Sequence, residues 1–179
     1  MRVKIFLKFR AVRYVTITLL VLVLFVSNGY SQHGKEMYGY FIYTIAKHVE
    51  WPEDEKSEKF TIGIYGNTNI IPQIQILAAK NKIHNKEVEM VKFDEIKDIT
   101  AVNMLFVPLE YSSQLSEIKD KVKGKSVLII TEKEGIGNQG SSVNFVQRKG
   151  KPAFELNKSA LEEANLKVSD ELLRFAIII

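Results

Sequence analysis

Apolar and polar positions divide the chain into one continuous hydrophobic run, one helix that is apolar over most of its circumference, and then short apolar segments alternating with amphipathic ones. The run spans residues 15–26, follows the basic residues Arg2, Lys4, Lys8, Arg10 and Arg13, and precedes the small-x-small triplet Gly29-Tyr30-Ser31. This is the layout of a secretory signal peptide over residues 1–31, with cleavage expected after Ser31. Retention as an anchor is the competing reading, but the run falls short of the roughly 20 apolar residues that a spanning helix needs. The remaining residues 32–179 are expected to form a single domain.

In residues 35–50, Met37, Phe41 and Ile45 recur at helical spacing while Tyr38, Ile42 and Val49 widen the stripe, which predicts a deeply packed helix. Trp51-Pro52 ends it, because a residue before proline is pushed out of the helical region. After a charged link over residues 53–59, residues 60–65 read as a strand that stops at Gly66-Asn67. Asn69 and Pro72 then open a helix to about Lys80, and residues 87–91 form a strand after the polar turn 81–86. Residues 103–107 and 126–130 are unbroken apolar runs of the kind buried on both faces. Between them lies a helix with Ser113 as cap, Leu115, Ile118 and Val122 as inner stripe and Gly124 as stop. Such alternation predicts an α/β fold of three layers, a largely parallel central sheet flanked by helices. Val143 and Phe145, then Phe154 and Leu156, alternate with polar neighbours around the turn Lys149-Gly150-Lys151-Pro152. They predict a C-terminal β-hairpin on the sheet, at its edge. Asn157 and Ser169 cap two last helices, the second with Leu172, Leu173 and Ala176 inward.

Charge changes the reading of partners. The chain has 25 Lys and Arg against 21 Asp and Glu, but five of the basic residues and none of the acidic ones lie in residues 1–31. The mature chain is near neutral, so the basic excess belongs to the leader and gives no support for nucleic-acid or membrane-surface binding. There is no cysteine. An exported fold without disulfides is implied, and thiol catalysis, thiolate metal sites, redox switching and lipoprotein anchoring are excluded.

A literal G-x-G-x-x-G occurs as Gly135-Ile136-Gly137-Asn138-Gln139-Gly140. Dinucleotide binding needs a helix N-terminus directly after the glycines, and residues 142–146 read as a strand instead. A loop entering a hairpin, with its surface open to contact, is the better account. Glu155 stands near the acidic position of that fingerprint but within the hairpin. His33, His48 and His84 share no metal-ligand spacing, and the serines form neither a G-x-S-x-G elbow nor an S-x-x-K. Adjacent carboxylates such as Glu53 with Asp54 read as solvated. No catalytic residue, metal or cofactor is assigned. Trp51, the single tryptophan, either fills the edge of the core or anchors a partner.

Ala46-Lys47-His48-Val49-Glu50-Trp51-Pro52, Phe60-Thr61-Ile62-Gly63-Ile64-Tyr65-Gly66, residues 135–146, and Phe154-Glu155-Leu156-Asn157 with Ala160, Ala164, Leu166, Val168, Ser169, Leu172, Leu173 and Ala176 resemble the YfiR family of exported bacterial proteins. The resemblance is colinear over residues 35–176 and most specific at Val-Glu-Trp-Pro and at the glycine loop. It implies a periplasmic α/β domain without known catalytic activity, whose best-understood member represses an inner-membrane diguanylate cyclase through the cyclase's periplasmic part. Cyclic-di-GMP signalling, biofilm control and homodimerisation come with that implication. The disulfides of well-known relatives do not, because this chain lacks cysteine.

The leading expectation is therefore a non-enzymatic periplasmic regulator that binds and represses an inner-membrane signalling protein. Its candidate contact residues are Glu50, Trp51, Pro52, Glu53 and Asp54 at one corner and Gly135, Gly137, Asn138 and Gly140 in the glycine loop. The alternative is a small-molecule sensor with its crevice at the carboxyl edge of the sheet, near Gly66-Asn67 and Pro108. An exported hydrolase lacks a nucleophile motif.

Overall fold

The structure is a computed structural model that describes residues 29–52 and 57–179. From α1 (Gly29–His48) the chain passes through β1 (Val49–Glu50) to β2 (Lys59–Tyr65), α2 (Ile71–Lys80), the hairpin of β3 (Lys82–Ile83) and β4 (Lys86–Phe93), and β5 (Met104–Val107). There follow α3 (Leu115–Val122), β6 (Leu128–Thr131), the hairpin of β7 (Val143–Arg148) and β8 (Lys151–Leu156), α4 (Lys158–Glu163), β9 (Lys167–Val168), α5 (Asp170–Phe175) and β10 (Ile177–Ile178). Residues 36–179 form one compact unit. The run 15–26 lies outside the described residues, and Gly29-Tyr30-Ser31 are the first residues of α1.

Eight strands make one sheet in the order β10-β8-β7-β6-β5-β2-β4-β3, and β1 with β9 makes a separate antiparallel pair. β4, β2, β5, β6 and β7 run parallel, whereas β8 and β3 return antiparallel to their hairpin partners. Strand parity divides the interior in two. Met104, Phe106, Leu128 and Ile130 face a core covered by α1, α2, α4 and α5, while Leu105, Val107 and Ile129 face a second core covered by α3. With helices on both faces, the central strands have no polar side, which is why they are unbroken apolar runs. The three-layer, largely parallel α/β architecture is thus the one the sequence predicts.

Several local expectations change. The β7-β8 hairpin is not an edge, because Ile177 and Ile178 add parallel to β8 opposite Glu155 and Leu156. Its turn is only Lys149-Gly150, both at positive φ, and Lys151 and Pro152 already belong to β8. Such a two-residue turn matches the twist of the flanking strands. A second one, His84-Asn85, makes a β3-β4 hairpin out of the expected polar turn. Ser113 does not cap α3: it lies inside a 3-10 turn over Leu109–Gln114 that leads directly into the helix. Asn69 gives no cap to α2, which starts with Pro72 in its first turn. Of the α1 residues whose burial is described, the buried hydrophobic ones are Tyr38, Ile42, Ile45 and Ala46, whereas Met37 is 40% exposed. Asn157 and Ser169 do cap, their side chains accepting from the backbone N–H of Ala160 and Leu172.

Candidate functional site

The Glu50-Trp51-Pro52 corner sits at the amino end of β2 and β5. Proline after Trp51 prevents continuation of the helix, and pairing of β1 with β9 at Val49–Val168 fixes the direction in which the chain leaves α1. Trp51 is half-buried. Its Nε1 donates to the carbonyl of Asn103 at 3.2 Å, and its ring meets Phe60 edge-on with centroids 5.1 Å apart. His84 completes the wall, with Nε2 2.8 Å from the carbonyl oxygen of Ala46 and its ring 6.0 Å from Trp51. These contacts hold open a pocket of about 750 Å³ lined by Glu50, Trp51, Pro52, Phe60, His84, Lys86 and Asn103. Trp51 fills the edge of the core, the first of its two sequence readings, and also lines the cavity. Glu53 and Asp54 lie outside the described residues.

The glycine loop lies on the other face of the sheet, with Ile136 in the α3 core. It is followed by β7, not by a helix. Gly135 and Gly140 adopt positive φ, and Gly137 is buried. The Gly137 carbonyl accepts from Asn157 Nδ2 at 2.9 Å. A side chain at Gly137 would meet Glu155 Oε2 at 2.9 Å and Ile179 Cδ1 at 2.6 Å. Gly135 at its start and Asn138 and Gln139 at its tip are exposed, and Gly140 is half-buried. The corner and the loop therefore form two separate surfaces.

Beneath the loop is a polar network that residue patterns alone did not reveal. Thr131 Oγ1 lies 2.9 Å from both Ser141 Oγ and Asn144 Oδ1, and Asn144 Nδ2 donates to Glu155 Oε2 at 2.8 Å. Arg148 donates to the other Glu155 oxygen at 2.5 Å and to Glu134 at 2.9 Å. Glu155 is only 7% exposed, and both of its carboxylate oxygens are taken up by these partners. A sequence signal existed in retrospect: Asn144 and Glu155 have the same strand parity and stand opposite each other in the hairpin.

At the carboxyl edge, chain order reverses between β2 and β5, the place where open α/β sheets bind ligands. Tyr111 occupies it. Its ring abuts Gly66 and meets Tyr65 edge-on at 5.2 Å, and its hydroxyl lies 3.5 Å from the Asn67 N–H. Tyr65 in turn donates to Gln114 Oε1 at 2.7 Å. The crevice near Gly66, Asn67 and Pro108 is thus filled by the protein itself.

A groove of about 550 Å³ also runs between α1, β8 and α5, with Tyr40 and Phe175 exposed along it. At its end His48 Nδ1 is 3.1 Å from Ser169 Oγ and 3.9 Å from Glu171 Oε2. His48 is therefore engaged with α5 rather than being a freely solvated helix end. The Ser169 hydroxyl is itself held as a helix cap. Tyr38, buried against Phe145 with centroids 4.4 Å apart, has its hydroxyl pushed up to about 12 by burial and by the charge of Glu132. Among the described residues, no group of three His, Cys, Asp or Glu could hold a metal ion, and no helix is long and apolar enough to cross a membrane.

No curated protein matches the chain. A solved conserved domain protein from Vibrio cholerae O1 biovar El Tor is 11% identical with a TM-score of 0.49; the match covers 80% of this chain and 59% of that one. The sequence model of the YfiR/HmsC-like family matches residues 35–177, spanning both the Trp51 corner and the glycine loop. The chain belongs to the YfiR/HmsC-like family.

Proposed function

We propose that this chain is a periplasmic regulatory protein, exported by residues 1–31. It binds the periplasmic part of an inner-membrane signalling protein, such as a diguanylate cyclase or sensor kinase, and represses it by contact alone. Family membership over residues 35–177 is the observation that carries this reading. The geometry supplies a means. Trp51 is fixed by its hydrogen bond to Asn103 and by Phe60, so its pocket is formed before a partner arrives and little side-chain entropy is lost on docking. Glu50 and Pro52, at the mouth of that pocket, and Glu53 and Asp54, which follow in sequence, are its contact residues. A homodimer is a further state of the same module.

The test is in-cell crosslinking of the mature chain followed by recovery from the inner membrane and mass spectrometry. A membrane cyclase or sensor kinase is expected, together with a rise in cyclic-di-GMP or kinase output when the protein is deleted. Charge reversal of Glu50, Glu53 and Asp54 should reduce recovery about tenfold. Trp51→Phe, which keeps the edge contact with Phe60, separates loss of the pocket wall from loss of folding. Recovery of only the protein itself refutes the regulatory reading.

The Trp51 pocket also has the volume of a small-molecule site, which favours it over the Tyr111-filled crevice as the place for a sensed ligand. A metabolite at 100 times its dissociation constant would add about 2.7 kcal/mol of stability. A panel that leaves the melting temperature unchanged rules that reading out.

A further inference from the structure

Lysines crowd one corner of a mature chain that is otherwise near neutral: Lys119, Lys121, Lys123 and Lys125 fall at the end of α3 and the turn after it. Lys123 and Lys125 are exposed. Among the described residues none of the four has a carboxylate within ion-pair distance, whereas Lys59, Lys82, Lys92, Lys97 and Arg148 each do. Lys119 Nζ donates instead to the Gln139 carbonyl at 3.2 Å, and Lys121 Nζ to the Lys97 carbonyl at 2.7 Å. Carbonyl partners do not neutralise these two lysines, and against Glu117 and Asp120 the four lysines leave the segment net positive, at a helix C-terminus that favours it.

Lys119, Lys123 and Lys125 rim a cleft of about 500 Å³ that has Val127 and Ile129 in its lining, with Asp120 beside the lysines on α3 and Glu163 of α4 across from it. Lys119 joins this cleft to the glycine loop, since its side chain lies against Gly140 and binds Gln139. Lysine rim, apolar lining and exposed loop tip thus form one surface on the α3 side.

We propose that this surface docks an acidic, extended protein segment; the proposal rests on the regulatory reading above and assigns the segment to the membrane partner. With three lysines against the carboxylates of Asp120 and Glu163, the net positive rim and the apolar lining complement a segment in which carboxylates alternate with small apolar side chains. A bilayer surface fits less well. Membrane-surface elements insert aromatic or large apolar side chains between headgroups, and none of Met37, Tyr40, Ile76, Leu109, Phe175 and Ile178, the large exposed hydrophobics among the described residues, lines the cleft.

The test is fluorescence anisotropy of the mature chain with a labelled decapeptide of alternating glutamate and alanine, at about 50 mM and about 300 mM NaCl to vary screening. Wild type should bind at low salt and severalfold more weakly at high salt. The double variant K123E/K125E should lose about tenfold in affinity, and the charge-matched control K149E/K151E, at the β7-β8 turn, less than about twofold. No binding, or equal loss in both variants, overturns the proposal. Binding to phosphatidylglycerol vesicles but not to the peptide overturns it in favour of a lipid surface. In the membrane crosslinking experiment, full partner recovery by K123E/K125E refutes this surface and leaves the regulatory reading standing. Absence of any membrane partner for wild type refutes that reading, while the peptide result still decides the chemistry of the cleft.

Discussion

Gly137→Ala tests whether the glycine loop is built for packing. Gly137 is not among the positive-φ glycines, so an alanine there suffers no backbone penalty and meets only its surroundings. Those are Ile179 Cδ1 at 2.6 Å, Glu155 Oε2 at 2.9 Å and Asn144 Cβ at 3.4 Å from the new methyl. Ile179 can swing its terminal carbon aside, but Glu155 is held by Arg148 at 2.5 Å and by Asn144 at 2.8 Å. Overpacking of this kind costs about 1–3 kcal/mol. Loss of one hydrogen bond to the buried carboxylate costs about 1–3 kcal/mol more. The combined loss is about 2–6 kcal/mol, a fall of about 6–18 °C in melting temperature for a domain of this size. Gly135→Ala is the control: nothing lies within 4 Å of its added methyl, and only its φ of +77° opposes it, at about 1–2 kcal/mol. Urea unfolding of the two variants, with the double variant Gly137→Ala/Ile179→Ala to relieve the softer contact, checks the order. If Gly137→Ala lies within about 0.5 kcal/mol of wild type, the uncertainty of a neutral surface change, the packing account is wrong.

Tyr38 makes stability fall in alkali. With its pKa raised to about 12 in the fold against an ordinary value near 10, the proton is held in both states below pH 10, and only the unfolded state ionises between pH 10 and 12. Stability contributed by the buried phenol is therefore complete below pH 10 and declines as pH rises through about 12, by about 3 kcal/mol in all. Tyr38→Phe should remove that part of the slope, and an unchanged alkaline slope would contradict it. Gly66→Ala places a methyl within the Tyr111 ring at a φ of +71°, and a loss of about 2–4 kcal/mol is expected. Tyr111→Ala relieves the collision but not the backbone strain, so the two substitutions should be less than additive in a double-mutant cycle; strict additivity would sink the account of the filled crevice.

How much of this was legible depended on whether an element is long enough to show a period. The runs at residues 103–107 and 126–130, which fold as Met104–Val107 and Leu128–Thr131, and the stripe Leu115, Ile118 and Val122, predicted the sheet and the helix of the second core. A two-residue strand has no period, so β1, β3, β9 and β10 were not visible, and with β10 went the true edge of the sheet. Asn157 and Ser169 could be read as caps because a side-chain oxygen next to a helix start is a local signal. Ser113 carried the same signal, but the preceding 3-10 turn moved the start of α3 past it. At the sites, Trp51-Pro52 was legible as a corner, whereas its pocket required His84 and Phe60, brought in from β2 and the β3-β4 turn. The buried charge of Glu155 was hidden for the same reason: the segment that covers it lies in a different part of the chain.

The G-x-G-x-x-G string shows why a motif has to be judged by the conformation it adopts. In a dinucleotide site the glycines bring backbone N–H groups to a phosphate. Here they solve three unrelated problems. Gly135 turns the chain in a left-handed conformation with open space around it, Gly137 lets the loop settle on Glu155, and Gly140 ends the 3-10 turn at a φ of +98° beneath the Lys119 side chain. Two bonds anchor the loop to different elements: Asn157 binds the Gly137 carbonyl from the start of α4, and Lys119 binds the Gln139 carbonyl from α3. A loop tied down at these points presents Asn138 and Gln139 in a fixed geometry, and a fixed tip loses less conformational entropy when a partner covers it. The same restraint links loop position to Lys119, so a ligand whose carboxylate pulls the Lys119 ammonium away from the Gln139 carbonyl releases that anchor. Occupancy of the lysine cleft and the order of the glycine loop are thereby coupled. Amide hydrogen exchange over residues 135–142 should accelerate when the acidic peptide binds, and unchanged exchange at saturating peptide would show that Lys119 does not connect them.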